Sequence, residues 1–138
     1  MHSILRISEG AAIALHAADY LAGREGLSSA AAIARALGVS YNHLSKVLQQ
    51  LTKAGLIAPV RGPKGGFELS AAGKKARVRD FIGAIDGQPS GHACLMKAKV
   101  CLGRGCMLGR FLEETNERFE AVMNAKLSEL AKRKQKRG

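Results

Sequence analysis

A helix–glycine–helix pattern near the middle of this 138-residue chain constrains its fold more than any other feature. Two short segments with apolar residues at helical spacing flank Gly38, and glycine tolerates the left-handed backbone of a tight turn. Ser28 and Ser29 precede the first segment and Ser40 precedes the second, and serine is a favoured N-cap. The pattern predicts two helices joined by a short turn.

The second of these helices, from Tyr41 to about Ala54, is predicted to have two distinct faces. Its buried stripe consists of Leu44, Val47, Leu48 and Leu51. Its outer face consists of Asn42, Ser45, Lys46, Gln49 and Lys53. A polar to basic outer face is typical of a recognition helix that enters the major groove of DNA. An ordinary helical hairpin at a protein surface is the alternative.

The next stretch, GLIAPVRGPKGGFELS, reads as a β-hairpin. Two short strands, 56–60 and 67–69, are separated by a glycine-rich turn that carries Arg61 and Lys64. A hairpin placed directly after a helix-turn-helix predicts a winged helix, and a wing arginine suits the negative potential of a narrow minor groove. The expected fold is therefore mainly α with a small β-hairpin wing.

Helices are also predicted on both sides of this unit. The first runs from about Ile4 to Ala22, and AAGKKARVRDFIGAIDG returns to helix after the wing. Residues 107–131 form a nearly coiled-coil stripe on a long helix, whose phase slips by one residue near its end. The positions of the stripe are Leu108, Leu112, Thr115, Phe119, Val122 and then Met123, Leu127 and Leu130. A helix this long in a small domain favours packing against a second copy of the chain.

Four segments follow from these patterns. Residues 1–88 form the DNA-binding domain, 89–106 a cysteine-containing loop, 107–131 the dimerisation helix and 132–138 a basic tail predicted to be disordered.

The charge of the chain favours nucleic acid as a partner. Lysine and arginine number 22 against 11 acids, which makes the net charge +11. No apolar stretch reaches the length of a membrane span, and acids interrupt the N-terminal apolar region, so we expect a cytoplasmic protein without a signal peptide. No paired acid and base, phosphate-binding loop or cofactor fingerprint occurs, so an enzyme is not expected.

All three cysteines, Cys94, Cys101 and Cys106, lie in the stretch HACLMKAKVCLGRGC. In a reducing compartment such thiols are typical of free cysteines or metal ligands rather than disulfides. Neighbouring lysines and an arginine favour the thiolate, which is the form that binds metal. An iron–sulfur cluster, a zinc site completed by His92, and a metal-free thiol switch are all compatible with this pattern.

These elements, taken in order, resemble the Rrf2-type winged-helix regulators, which include iron–sulfur and nitric-oxide-sensing members. The segments that carry the resemblance are AIARALGVSYNHLSKVLQQLTKAGLI, VRGPKGGFELS, FIGAIDG, the three-cysteine loop and the long C-terminal helix. The resemblance implies a homodimer that binds a palindromic double-stranded DNA site, usually as a repressor. The resemblance places the base-reading positions at Asn42, Ser45 and Lys46 and the wing arginine at Arg61. The full predicted set of DNA-binding residues adds Ser40, Tyr41, Gln49 and Lys64.

The resemblance also implies a [4Fe–4S] or [2Fe–2S] cluster held by the three cysteines and a fourth ligand. No histidine follows Cys106, so the histidine used by iron–sulfur relatives is absent at that position. Nitric-oxide-sensing relatives use an acid from the first helix of the other subunit, which corresponds to Glu9 of the partner subunit; His92 is the local alternative. The implied signal is redox state, nitric oxide or iron status.

Overall fold

The computed structural model describes residues 6–88 and 107–130. Six helices, one two-stranded antiparallel hairpin and a last helical turn that begins at Leu127 lie in these ranges; the helices and strands are numbered below. In chain order they are α1 Glu9–Ala22, α2 Ala30–Leu37, α3 Tyr41–Lys53, β1 Ile57–Val60, β2 Gly66–Leu69, α4 Ala71–Lys75, α5 Val78–Asp86 and α6 Gly109–Asn124. None of the helices in these ranges is long and apolar enough to cross a membrane.

The core lies where α1, α3 and α5 pack together, with α2 at its side. The predicted inner stripe of α3 is confirmed, since Leu44, Val47, Leu48 and Leu51 are all nearly inaccessible to water. Phe81 from α5 is the largest fully buried side chain of the described residues and belongs to the same cluster. Alanines on the inner face of α1 allow the other helices to approach it closely. The predicted winged helix-turn-helix is therefore confirmed.

Local capping residues place α2 and α3 as predicted. Gly38 adopts a left-handed conformation with φ of 69° after the end of α2, a backbone that costs other residues more than glycine. Ser29 and Ser40 cap α2 and α3, each accepting a backbone N–H at 3.1 Å. Ser28 is not a cap, because it is buried and pairs with Phe67 of β2 in an isolated bridge.

The two strands differ from the prediction by one residue each: β1 is one residue shorter at its beginning, and β2 is one residue longer at its beginning. Leu56 lies outside β1, although it is buried, and β2 begins at Gly66. The register pairs Ile57 with Leu69 and Pro59 with Phe67. Since Pro59 has no N–H to donate, it suits a two-stranded ribbon of this kind.

The first helix begins at Glu9, later than the predicted start near Ile4, which lies outside the described residues. Ser8 is the reason, because its extended backbone and side chain cap α1, with Ser8 Oγ accepting from Ala11 N at 3.1 Å. Ser8 also donates its N–H (2.8 Å) and its hydroxyl to the Asp86 carboxylate at the end of α5. These two hydrogen bonds join the start of α1 to Asp86, which lies three residues before the cysteine-containing segment 89–106.

The segment after the wing is two helices rather than one. Ala76 is extended, with ψ of 156°, and separates α4 from α5. Asp80 accepts the Arg77 N–H at 2.8 Å and so helps to start α5. The apolar spacing of this segment predicts that Val78, Phe81, Ile82 and Ile85 face inward; the first three are buried and Ile85 is half-buried. Gly87 ends the helix with φ of 81°.

The long C-terminal helix is confirmed, but α6 ends at Asn124 rather than continuing to 131. Ala125 is extended and its carbonyl accepts the Val78 N–H at 3.0 Å, while Lys126 pairs with Arg77 in a bridge. The chain becomes helical again at Leu127. The predicted phase slip therefore comes just before a break in the helix, which backbone pairing with the start of α5 imposes.

Candidate nucleic-acid interface

The orientation of α3 decides which of its side chains can reach a ligand. Because its apolar stripe is buried, the opposite face must be turned to solvent. Asn42, Lys46 and Gln49 are exposed there, and Ser45 is half-buried. Tyr41, at the first helical position, is 56% exposed, which is high for an aromatic side chain. The predicted outer face of the helix is thus available for contacts.

Ser40, which is predicted to contact DNA, also caps the N-terminus of α3. Its Oγ accepts the His43 N–H at 3.1 Å and caps α3. The hydroxyl hydrogen can still be donated outward, and phosphate oxygens are common acceptors for such groups at helix N-termini. Ser40 is therefore compatible with a phosphate contact at the start of the helix.

The wing turn presents its two cations at the end of the hairpin. The turn closes through a hydrogen bond from Gly65 N to the Gly62 carbonyl at 2.9 Å. A Cβ at position 65 would collide with the Val60 carbonyl, so only glycine fits there. Arg61 and Lys64 are both exposed and are available to the backbone of a duplex.

A groove of about 520 Å³ separates α3 from the hairpin. It brings together four predicted contact residues, namely Tyr41, Ser45, Gln49 and Arg61. Asn42, Lys46 and Lys64, together with Ser40, do not line this groove. None of the described residues that line it is acidic, so its charge is positive. This arrangement suits a polyanion that contacts the helix and the wing at once.

Two features of this surface are absent from the set of DNA-binding residues predicted from the sequence. Lys53 lines the groove at the last turn of α3, although its spacing of four from Gln49 already placed it on the outer face. Ser28 also pairs with β2 in a bridge: its N–H donates to the Phe67 carbonyl at 3.0 Å, and the Phe67 N–H donates to the Ser28 carbonyl at 2.8 Å. That bridge ties the wing to the start of α2, and no local pattern in the sequence signals it.

The predicted metal ligands are only partly described by the structure. Cys94, Cys101 and Cys106, and His92 with them, lie outside the described residues. Glu9 is exposed in the first turn of α1, and its carboxylate makes no hydrogen bond or ion pair within residues 6–88 and 107–130. Those ranges contain no cluster of three potential metal-binding side chains. Glu9 is therefore the one predicted ligand that falls within the described residues, and its side chain is accessible.

The residues of the predicted stripe of α6 do not all share one environment: some are buried and others are exposed. Leu112 and Met123 are buried, Met123 in a cluster with Val78 and Ile82 of α5, and Phe119 is half-buried beside that cluster. Three other apolar side chains of this region point into solvent on a neighbouring face: Leu108 (46% exposed), Phe111 (50%) and Val122 (39%). We call these three the outer apolar face of α6. Phe111 was not part of the predicted stripe.

The comparisons with known proteins agree with this fold. A profile of the Rrf2 family, described as an iron-dependent transcriptional regulator, matches residues 7–133. The HTH-type transcriptional regulator IscR of Vibrio atlanticus is 32% identical over 87 residues, which are 63% of this chain and 50% of that protein. IscR of Photobacterium profundum is 30% identical over 112 residues, which are 81% and 62%. The matches thus span between half and two thirds of these relatives.

Two solved structures share the fold and are 25% identical in sequence to this chain. CymR, the global cysteine regulator of B. subtilis, aligns with a TM-score of 0.73 and 25% identity, covering 93% of this chain and 97% of that one. IscR of T. potens aligns with a TM-score of 0.67 and 25% identity, covering 93% and 87%. With the profile match across nearly the whole chain, these likenesses show that the protein belongs to the Rrf2 family of DNA-binding transcriptional regulators.

Proposed function

We propose that the protein is a sequence-specific, homodimeric repressor that reads a palindromic DNA site with α3 and the wing. The observation that carries this proposal is the acid-free groove, which unites the outer face of α3 with Arg61. Asn42, Ser45 and Lys46, early on α3, read base edges in the major groove. Arg61 and Lys64 hold the adjacent backbone or minor groove.

The outer apolar face of α6 supports the dimer. Three large apolar side chains exposed on one helix are costly for an isolated soluble molecule, and burying them against a second copy removes that cost. A two-fold axis through α6 would present two recognition helices to two half-sites. The half-site spacing would then depend on how α6 is joined to each DNA-binding domain.

Replacing Lys46 with Ala is the direct test of DNA reading. We expect selection from a random duplex pool to yield a palindromic operator for the unaltered protein, and Lys46→Ala to bind it roughly 10- to 100-fold more weakly, since one base contact is worth about 1–3 kcal/mol. Electrophoretic mobility shift titrations at fixed salt measure the change. Lys126→Ala removes an exposed lysine from the bridge beyond α6 and should bind like the unaltered protein.

Selection that enriches no motif would contradict the proposal. It would favour instead a DNA-coating protein, whose binding depends steeply on salt and little on sequence.

We further propose that the thiols of Cys94, Cys101 and Cys106 hold an iron–sulfur cluster, completed by Glu9 of the partner subunit. The available carboxylate at the start of α1 and the IscR relatives support this proposal. The cluster supplies a redox- and nitric-oxide-sensitive centre when bound. Asp86 and Ser8 join the start of α1 to the chain just before the thiol segment, so a change in that segment acts close to both α1 and α6. A changed distance between the recognition helices would then alter operator binding.

Replacing Cys101 with Ala tests the cluster. Purified without oxygen, the unaltered protein should be coloured and contain iron, while Cys101→Ala should be colourless and bind the operator with the affinity of cluster-free protein. Absorbance, iron analysis and Mössbauer spectra give the readout. Glu9→Gln should alter the absorbance spectrum, whereas His92→Ala should not. His16→Ala, at an exposed position of α1, is the matched control for these two substitutions. Unchanged absorbance and operator affinity in Cys101→Ala would refute the cluster.

A metal-free thiol regulator is the second candidate, and a regulator with zinc held by the thiols and His92 is the other alternative. The likeness to CymR, a cysteine regulator, favours the thiol form. It predicts an iron-free protein whose operator binding changes on oxidation and is restored by dithiothreitol. Zinc would instead appear in metal analysis of protein purified without chelators.

A further inference from the structure

The groove between α3 and the wing has an apolar wall as well as polar edges. Pro59 and Phe67 are partners in the hairpin register, and cross-strand partners project from the same side of a hairpin. Both line the groove, with Ala30 of α2 and the buried Leu48 of α3 behind them. The volume of about 520 Å³ lies in the range of small-molecule sites.

The rim of the same groove is positive. Lys53, from the last turn of α3, and Arg61, from the wing, stand on its edge and are both exposed. Within residues 6–88 and 107–130 neither forms an ion pair, and no acid lines the groove. The charges therefore favour an anion, and the paired rings of Pro59 and Phe67 favour a flat apolar body beside it.

We propose that this groove binds a small aromatic carboxylate. The ring of the ligand lies against Pro59 and Phe67, and its carboxylate meets Lys53 and Arg61. A neutral ligand would gain no attraction from the two cations, and an aliphatic anion would make less contact with the rings of Pro59 and Phe67. The site is an effector site within the proposed DNA-binding face, and the residues that line it all belong to α2, α3 and the hairpin with its turn.

Occupation of the groove would compete with operator DNA. The carboxylate engages Arg61, which the duplex also requires under the proposed function, and the ring fills space between the recognition helix and the wing. The competition rests on that proposed function, whereas binding of the carboxylate to DNA-free protein does not.

The test is a titration of ¹⁵N-labelled, DNA-free protein with 2-naphthoate, followed by amide chemical shifts. We expect saturable shifts at Ala30, Thr52 and Phe67, which line the groove. The matched neutral probe, naphthalene-2-methanol, should bind roughly tenfold more weakly, because hydrogen bonds to charged groups contribute about 1.5 kcal/mol or more. Adding 2-naphthoate should also weaken operator binding.

Two variants make the assignment specific. Ala30→Leu fills the groove and should abolish the shifts, while Ala31→Leu, at the exposed neighbouring position, should retain them. Lys53→Gln should weaken 2-naphthoate without affecting naphthalene-2-methanol. Absence of saturable shifts, equal affinity for both probes, or shifts confined to α6 would overturn the proposal. Groove binding that leaves operator affinity unchanged would support the ligand site and contradict the proposed DNA interface.

Discussion

Phe111→Asp should convert the protein to a monomer and weaken operator binding at least about 100-fold. Phe111 has the largest side chain on the outer apolar face of α6 and lies between Leu108 and Val122. In the proposed dimer a carboxylate there would lose apolar burial, and the two-fold axis would bring a second, like charge to the same interface. A monomer also loses the gain of binding two linked half-sites, which is typically 10²–10⁴-fold.

Light scattering coupled to size exclusion measures the first part of this prediction, since the mass should fall from twice 14.6 kDa to 14.6 kDa. Ala121→Asp introduces the same charge at an exposed position on another face of α6 and should remain dimeric. A dimeric Phe111→Asp protein with full operator affinity would show that the subunits associate through a different surface.

The junction between α6 and the rest of the chain indicates how the proposed dimer would influence DNA binding. Arg79 of α5 forms an ion pair with Glu120 at 2.6 Å and donates to Asn124 Oδ1 at 3.0 Å. The backbone bridge of Arg77 with Lys126 lies next to these contacts. Because several bonds join the two helices, a shift of α6 is transmitted to α5 and, through the shared core, to α3.

Local signals in the sequence predicted much of the fold. Gly38, Ser29 and Ser40 act within a few residues of their own position, so the bounds of α2 and α3 could be read from the chain directly. The inner stripe of α3 was equally clear from its period. The outer face follows from that stripe, which is why the exposed side of α3 was predicted correctly.

Non-local pairing explains what the sequence did not predict. Ala125 favours helix intrinsically, yet it is extended because its carbonyl bonds to Val78, far away in the chain. Ser28 is a good cap by type but pairs with Phe67 instead. The groove likewise depends on how the wing packs beside α3. Such features require the tertiary arrangement, which no period or cap encodes.

Phe81→Ala should reduce the free energy of unfolding by about 3–5 kcal/mol, a large part of the roughly 5–15 kcal/mol that holds such a domain together. Phe81 is fully buried, and its cluster includes Leu44 and Leu51, the inner anchors of the recognition helix. Truncation removes the apolar transfer energy of the ring and leaves a cavity that the close-packed helices cannot fill completely.

Urea titration followed by circular dichroism checks this expectation, and the midpoint should fall by more than about 1 M. Tyr41→Ala truncates an aromatic side chain that is 56% exposed and should change stability by no more than about 0.5 kcal/mol. The two variants separate the roles of the two faces of the fold. Phe81→Ala should lower stability while the remaining folded protein still binds the operator, whereas Tyr41→Ala should lower operator affinity while the fold persists. A stable Phe81→Ala protein would contradict the position of α5 against α3.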